Sequence, residues 1–178
     1  PATFKFIKGW LAEPVDPPRT PLWIWGAGHV GQAVVQIAAQ LENFDITWVD
    51  TNPNRFPSEI PSNVTVVPAA EPAHLMLHVP IKAHHLIFTY SHALDLALCH
   101  AALKRGFAFC GLIGSKSKWT RFKSRLSALG HSNSIILKIT CPIGDPNLGK
   151  QPIAIAIGVT QSLLAVHNSL ANQRSARA

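Results

Sequence analysis

Apolar residues along this chain fall into two alternating patterns. The first is the short run, over about 22–26, 45–50, 64–67, 84–89, 107–113 and 135–140. Runs of this length between turn residues predict buried strands. The second is recurrence every three to four positions. Val30, Val34, Ile37 and Leu41 recur in this way across 29–42. Leu94, Leu98 and Ala101 do so across 92–105, and Trp119, Phe122, Leu126 and Leu129 across 116–129. Those spacings predict amphipathic helices, with Gly106 and Gly130 ending the last two. A short helix is expected over 71–78. A long one is expected from about Pro152, a residue suited to a first helical turn, to about 171.

Strands that alternate with helices through short links predict an α/β fold. Right-handed crossovers make it doubly wound, a mainly parallel sheet with helices on both faces. Residues 1–21, with Pro14, Pro17, Pro18 and Pro21, read as an extended lead-in. Within it Phe4, Phe6, Ile7, Trp10 and Leu11 would add a strand or dock on the core. The folded domain is expected over 22–172 and a basic tail over 173–178, with Arg174 and Arg177. Between Ile153 and Asn172 the last helix has no charged residue. It is therefore either buried on both sides or part of a subunit interface, and a homodimer is one expectation.

At 178 residues, 47% apolar and 14% charged, the chain has the makeup of one globular domain. No apolar run is read as long enough to span a bilayer, and the start lacks a signal-peptide layout. Pro1 in place of Met marks a trimmed chain or a piece of a longer one. The net charge of +7 raises nucleic-acid binding, but the basic residues cluster beside a candidate phosphate site rather than forming a stripe. No nucleic-acid partner is expected. Cys99, Cys110 and Cys141 are odd in number and widely spaced, with no metal-ligand pattern. They read as core residues or single thiols of a reducing cytoplasm.

The most informative chemistry is in Gly26-Ala27-Gly28-His29-Val30-Gly31, where the first strand meets its helix. Asp50 follows nineteen residues after Gly31, at the end of the second strand. That context makes the glycines a Rossmann-type fingerprint. Gly26 permits a tight turn, Gly28 lets backbone approach a phosphate, and Gly31 lets helix and strand pack. The helix N-terminus offers N–H groups to an anion. His29 in the middle of the loop is either a ligand donor or an idle exposed residue. Asp50 either accepts from a ribose hydroxyl or caps its loop.

Two further loops lie at the same edge of the sheet. Ser91 is a natural N-cap, and Asp95 either closes a capping-box-like pair with it or faces ligand. His92 faces the cleft as a ligand contact, a metal contact or an acid–base group. Gly114, Ser115, Lys116 and Lys118 form a second anion cradle or a capped basic helix. Two anion sites on one edge point to a diphosphate or to a ligand with two anionic ends. Cys141, in the loop containing Pro142, Ile143 and Gly144, is a thiol near ligand or simply a buried side chain.

In order, Gly26–Gly31, Asp50, His92-Ala93-Leu94-Asp95, Gly111-Leu112-Ile113-Gly114-Ser115 with Lys118, and Pro142-Ile143-Gly144 resemble the C-terminal Rossmann domain of the XdhC/CoxI family. The resemblance spans about 22–165. It implies a xanthine dehydrogenase accessory protein that binds the molybdenum cofactor, a molybdopterin, and delivers it after sulfuration to the enzyme's molybdenum subunit. A cysteine desulfurase is a further implied partner. On that reading Gly26, Gly28, His29, Val30 and Gly31 hold one anionic group. Gly114, Ser115 and Lys116 or Lys118 hold another, with His92 and Asp95 between them. The implied role is that of a chaperone rather than a catalyst, and no resident metal is expected. Contact of Cys110 or Cys141 with molybdenum stays open. Many family members carry a further N-terminal domain with a cysteine-containing glycine-rich motif, and nothing like it stands before Leu22. Their last helix also carries acidic residues, where this chain has Gln161 and Ser162. An NAD-dependent oxidoreductase is the competing reading, and a nucleotide-sensing module the third.

Overall fold

The computed structural model describes residues 5–12 and 19–175. A short antiparallel hairpin, β1 (Lys5–Ile7) and β2 (Trp10–Ala12), comes first. Phe6, Ile7 and Trp10 are exposed on it, so they make a strand pair rather than dock on the core. Phe4 lies outside the described residues.

The domain proper follows as β3 (Thr20–Trp25), α1 (His29–Ala38), β4 (Phe44–Asp50), β5 (Val64–Pro68), α2 (Pro72–Leu75) and β6 (His84–Ile87). It continues with α3 (His92–Arg105), β7 (Phe109–Leu112), α4 (Lys116–Ala128), α5 (Asn133–Ile136), β8 (Ile139–Thr140) and α6 (Pro152–Ser175). The six strands of the sheet run in the order β5-β4-β3-β6-β7-β8, and every neighbouring pair is parallel. This is the doubly wound Rossmann arrangement. Strand order reverses between β3 and β6, which opens a crevice at their carboxyl ends.

Strand residues alternate between two cores. Leu22, Ile24, Ile46, Trp48 and Leu86 pack on one face with α1 and α6. Trp25, Val49, Ile87 and Leu112 pack on the other with α3 and α4. Both faces are covered, which is why the strands are apolar runs rather than alternating ones.

The structure corrects several sequence expectations. The run at 135–140 is not one strand: its first part closes the helical turn α5, and only Ile139–Thr140 pairs, at the sheet edge. Leu129 lies beyond α4 and is exposed. Helix α6 buries Ala156, Val159, Thr160 and Leu163 but exposes Ile153 and Ile157, so it is not buried on both sides. It continues to Ser175, into the expected tail. The stretch Pro152–Gln173 is also long and apolar enough to cross a bilayer by length and composition, contrary to the expectation that no run would be. Its inner face packs on α1 and the sheet, as a core helix of a doubly wound domain does.

Candidate functional site

The glycine loop is held in place mainly from β4. Gly26 N–H donates to the Val49 carbonyl at 2.8 Å, and Trp48 Nε1 donates to the Gly26 carbonyl at 3.0 Å. Asp50 Oδ2 accepts from Ala27 N–H at 2.6 Å. From the helix side, Gln32 Nε2 donates to the Ala27 carbonyl at 3.2 Å. The loop is therefore set before any ligand arrives.

Its three glycines have separate physical reasons. Gly26 has φ +118°, and an added Cβ would sit 2.5 Å from the Phe88 carbonyl oxygen. Gly31 lies so close to the Gly26 carbonyl that a Cβ would meet its oxygen at 2.1 Å. Gly28 is different. A Cβ there would have only the Arg55 guanidinium nearby, at 3.9 Å. The space beside Gly28 belongs to no packed side chain. Next to it α1 starts without any side-chain cap, leaving its first N–H groups for an anion. His29 is exposed at this start.

Asp50 occupies a different role from the expected ribose acceptor. Its carboxylate is buried and already taken up by protein donors. Thr51 N–H lies 2.7 Å from Oδ1, Ala27 N–H lies 2.6 Å from Oδ2, and Arg55 Nε forms an ion pair with Oδ1 at 3.1 Å. The alternative of a turn cap belongs to Asn52, whose side chain accepts from Asn54 N–H at 2.9 Å. Arg55, which the sequence left inside a proline-punctuated loop, lies over the Tyr90 ring, 4.4 Å from its centroid. Arg55 and Tyr90 thus link the loop after β4 to the loop after β6, across the crevice. The signal that singles out Arg55 is its approach to Gly28, which is a tertiary contact.

Beyond Tyr90 a cleft of about 380 Å³ opens between α1, α3 and α4. Val30, His92, Asp95, Gly114, Ser115 and Lys118 all line it, so six of the sequence candidates meet there. Lys116 is exposed and does not line it. The expected second cradle is built differently from the sequence reading. Lys118 Nζ donates to Asp95 Oδ2 at 2.7 Å and to the Ile113 carbonyl at 3.0 Å. Its charge is neutralised within the protein. Asp95 in turn does not close a capping box with Ser91. Its Oδ1 accepts from Thr89 N–H at 2.9 Å and Thr89 Oγ1 at 2.8 Å. The Ser115 hydroxyl caps α4 by accepting from Lys118 N–H at 3.1 Å. Gly114 makes room for the Lys118 side chain, whose Cδ a Cβ would meet at 2.7 Å.

The loop after β8 packs rather than lining the cleft. Gly144 and Gly158 face each other closely, and Ile143 fills the space above Gly111. Cys141 is half-buried, and burial pushes its thiol up to about 11, despite the opposing influence of Lys118. Burial also raises Cys99 and Cys110, each inside the core. Thiols in such surroundings stay protonated near neutral pH. Among the described residues no three His, Cys, Asp or Glu side chains gather as a metal-binding set.

The family model described as the XdhC Rossmann domain matches residues 22–162. A protein of Escherichia coli strain K12, YqeB, described as uncharacterized, is 29% identical over 157 residues. That match covers 85% of this chain and 28% of the relative. A crystal structure described as a xanthine dehydrogenase from Bacillus halodurans superposes with a TM-score of 0.70 at 24% identity. It covers 85% of this chain and 44% of that one, and its likeness shows the fold. The chain thus spans less than half the length of either.

Proposed function

The chain belongs to the XdhC family through its Rossmann domain, and we propose from this premise that it serves xanthine dehydrogenase as an accessory protein. In this reading it binds the phosphate-bearing molybdenum cofactor in the cytoplasm and passes it, once sulfurated, to the molybdenum subunit. A cysteine desulfurase would act on the same bound cofactor. The observation that carries the binding role is Gly28. Of the three loop glycines it alone is required by no packing contact, and the space it leaves adjoins an uncapped helix start and a guanidinium.

The residues present fit the phosphate end of such a cofactor. The first N–H groups of α1 would hold the phosphate, Arg55, ion-paired through Nε with Asp50, would offer its outer N–H groups beside Gly28, and Tyr90 would keep Arg55 in place. The walls of the cleft, from Val30 to Ser115, would orient the remainder and limit its exposure to water. When bound, the cofactor would supply a redox-active molybdenum that carries a terminal sulfido ligand after sulfuration. This domain's contribution lies in holding, because its three thiols are kept protonated by burial. Asp50, taken up by loop donors, is not presented to a ribose diol, which weakens the competing NAD reading.

The test is a parallel titration of the chain with anaerobic molybdenum cofactor and with NAD. Micromolar or tighter cofactor binding with no response to NAD is expected, as is loss of that binding in Gly28→Val. The substitution should cost only about 1 kcal/mol of stability, the effect of an apolar residue at the N-cap, since φ at Gly28 is −74° and the space is open. Tight NAD binding without cofactor binding would overturn the proposal.

A further inference from the structure

Helix α4 carries Lys116, Lys118, Arg121, Lys123 and Arg125 and no acidic residue. Lys118 is paired with Asp95, and the other ion pair among the described residues is Arg55 with Asp50. Arg121 and Arg125 therefore have no carboxylate partner there. They stand four residues apart on one helix face, where like charges repel. Both line a pocket of about 150 Å³ together with His92, Lys118 and Phe122. Phe122 forms an apolar wall. The His92 ring stands edge-on to it, 6.5 Å between centroids, and Lys118 Nζ lies 5.2 Å from its centroid. Arg121 Nε donates to the Ser117 carbonyl at 3.4 Å, which lays the side chain along the helix.

No carboxylate lines this pocket. Two arginines and a histidine line this space, and guanidinium forks match phosphate oxygens. His92, Lys118 and Arg121 also line the larger cleft, so pocket and cleft are continuous. We propose that Arg121, Arg125 and His92 form a subsite for a tetrahedral oxyanion, for which phosphate is the probe, at the end of the cleft away from the glycine loop. This replaces the cradle of Ser115, Lys116 and Lys118 that the sequence singles out. As a description of the cleft's ligand it rests on the cleft being a binding site, and it gives that ligand a second anionic group at the α4 end. The subsite itself is testable without any cofactor.

The experiment is calorimetric titration of the whole chain with inorganic phosphate at low ionic strength. Four proteins are compared: wild type, Arg121→Gln, Arg125→Gln and the paired exposed-lysine control Lys138→Gln/Lys150→Gln. Circular dichroism checks that each variant is folded. Saturable binding is expected for the wild type, including one equivalent at α4. Each arginine variant should weaken that equivalent by ~tenfold, while the control pair leaves it within ~twofold. Three outcomes would overturn the subsite: no saturable binding by wild type, an equal loss in the lysine control, or binding that neither arginine substitution weakens. The last would put the phosphate elsewhere. Failure of the molybdenum cofactor to bind in the separate titration would sink the accessory role and leave the phosphate result standing.

Discussion

His85 shows how far a single side chain can depend on its neighbours. It is fully buried on β6, and its Nδ1 accepts from Trp25 Nε1 at 3.2 Å. Burial, with a smaller effect from His84, pushes its pKa down from 6.5 to about 3. The native state therefore holds His85 neutral at pH values where the unfolded chain would protonate it. The stability this contributes is complete above pH 6.5 and declines as pH falls toward about 3. The slope is roughly 1.4 kcal/mol per pH unit inside that window. Denaturant unfolding followed across pH should show it, and His85→Asn, which keeps an acceptor for Trp25 but cannot titrate, should lack it. An equal slope in both proteins would mean that His85 is not the group responsible. The glycines make the same point about context: Gly26 and Gly31 are required by what touches them, Gly28 by what does not.

Between elements, the Lys118–Asp95 pair ties α4 to the start of α3 and, through Thr89 and Ile113, to the ends of β6 and β7. Asp95 is 1% exposed, so removing its cation strands a buried carboxylate. Lys118→Met should cost about 3–5 kcal/mol of stability. Combining it with Asp95→Asn should restore much of the loss, because the amide oxygen can still accept from Thr89 while the charge is gone. Thermal unfolding of the two variants gives the comparison. A Lys118→Met protein as stable as wild type would show that the pair does not fasten the helices. The sequence placed both residues at the right edge of the sheet. It could not show that they face each other, because twenty-three residues and a strand separate them.

For the whole molecule, the controlling feature is the reversal of strand order between β3 and β6. It brings the loops after β3, β6 and β7 to one crevice, with the loop after β4 joining through Arg55. The net charge of +7 surrounds that crevice with a field that favours anions. Phosphate affinity should therefore fall several-fold as salt rises from about 0.05 M to about 0.5 M, as exposed charges are screened. Titration at the two ionic strengths measures this, and an unchanged affinity would argue against an ionic site. Ile153 and Ile157 are exposed on α6, so this helix is not buried on both sides.

Local chemistry by itself determined the order of strands and helices, the doubly wound class and the three glycines, because periodicity and turn residues act over a few positions. Cooperative edge effects were less legible. The run at 135–140 has strand-like residues, but a helical turn claims its first half and only two residues find a partner in β7. The partners of charged groups were decided only by the tertiary structure. Asp50 fastens the glycine loop, Lys118 is matched by Asp95, and Arg55, Arg121 and Arg125 are the cations placed beside the cleft and the open glycine. Charge pairing is settled across distances of a few ångströms that join residues far apart in the chain, and no spacing along the chain encodes it.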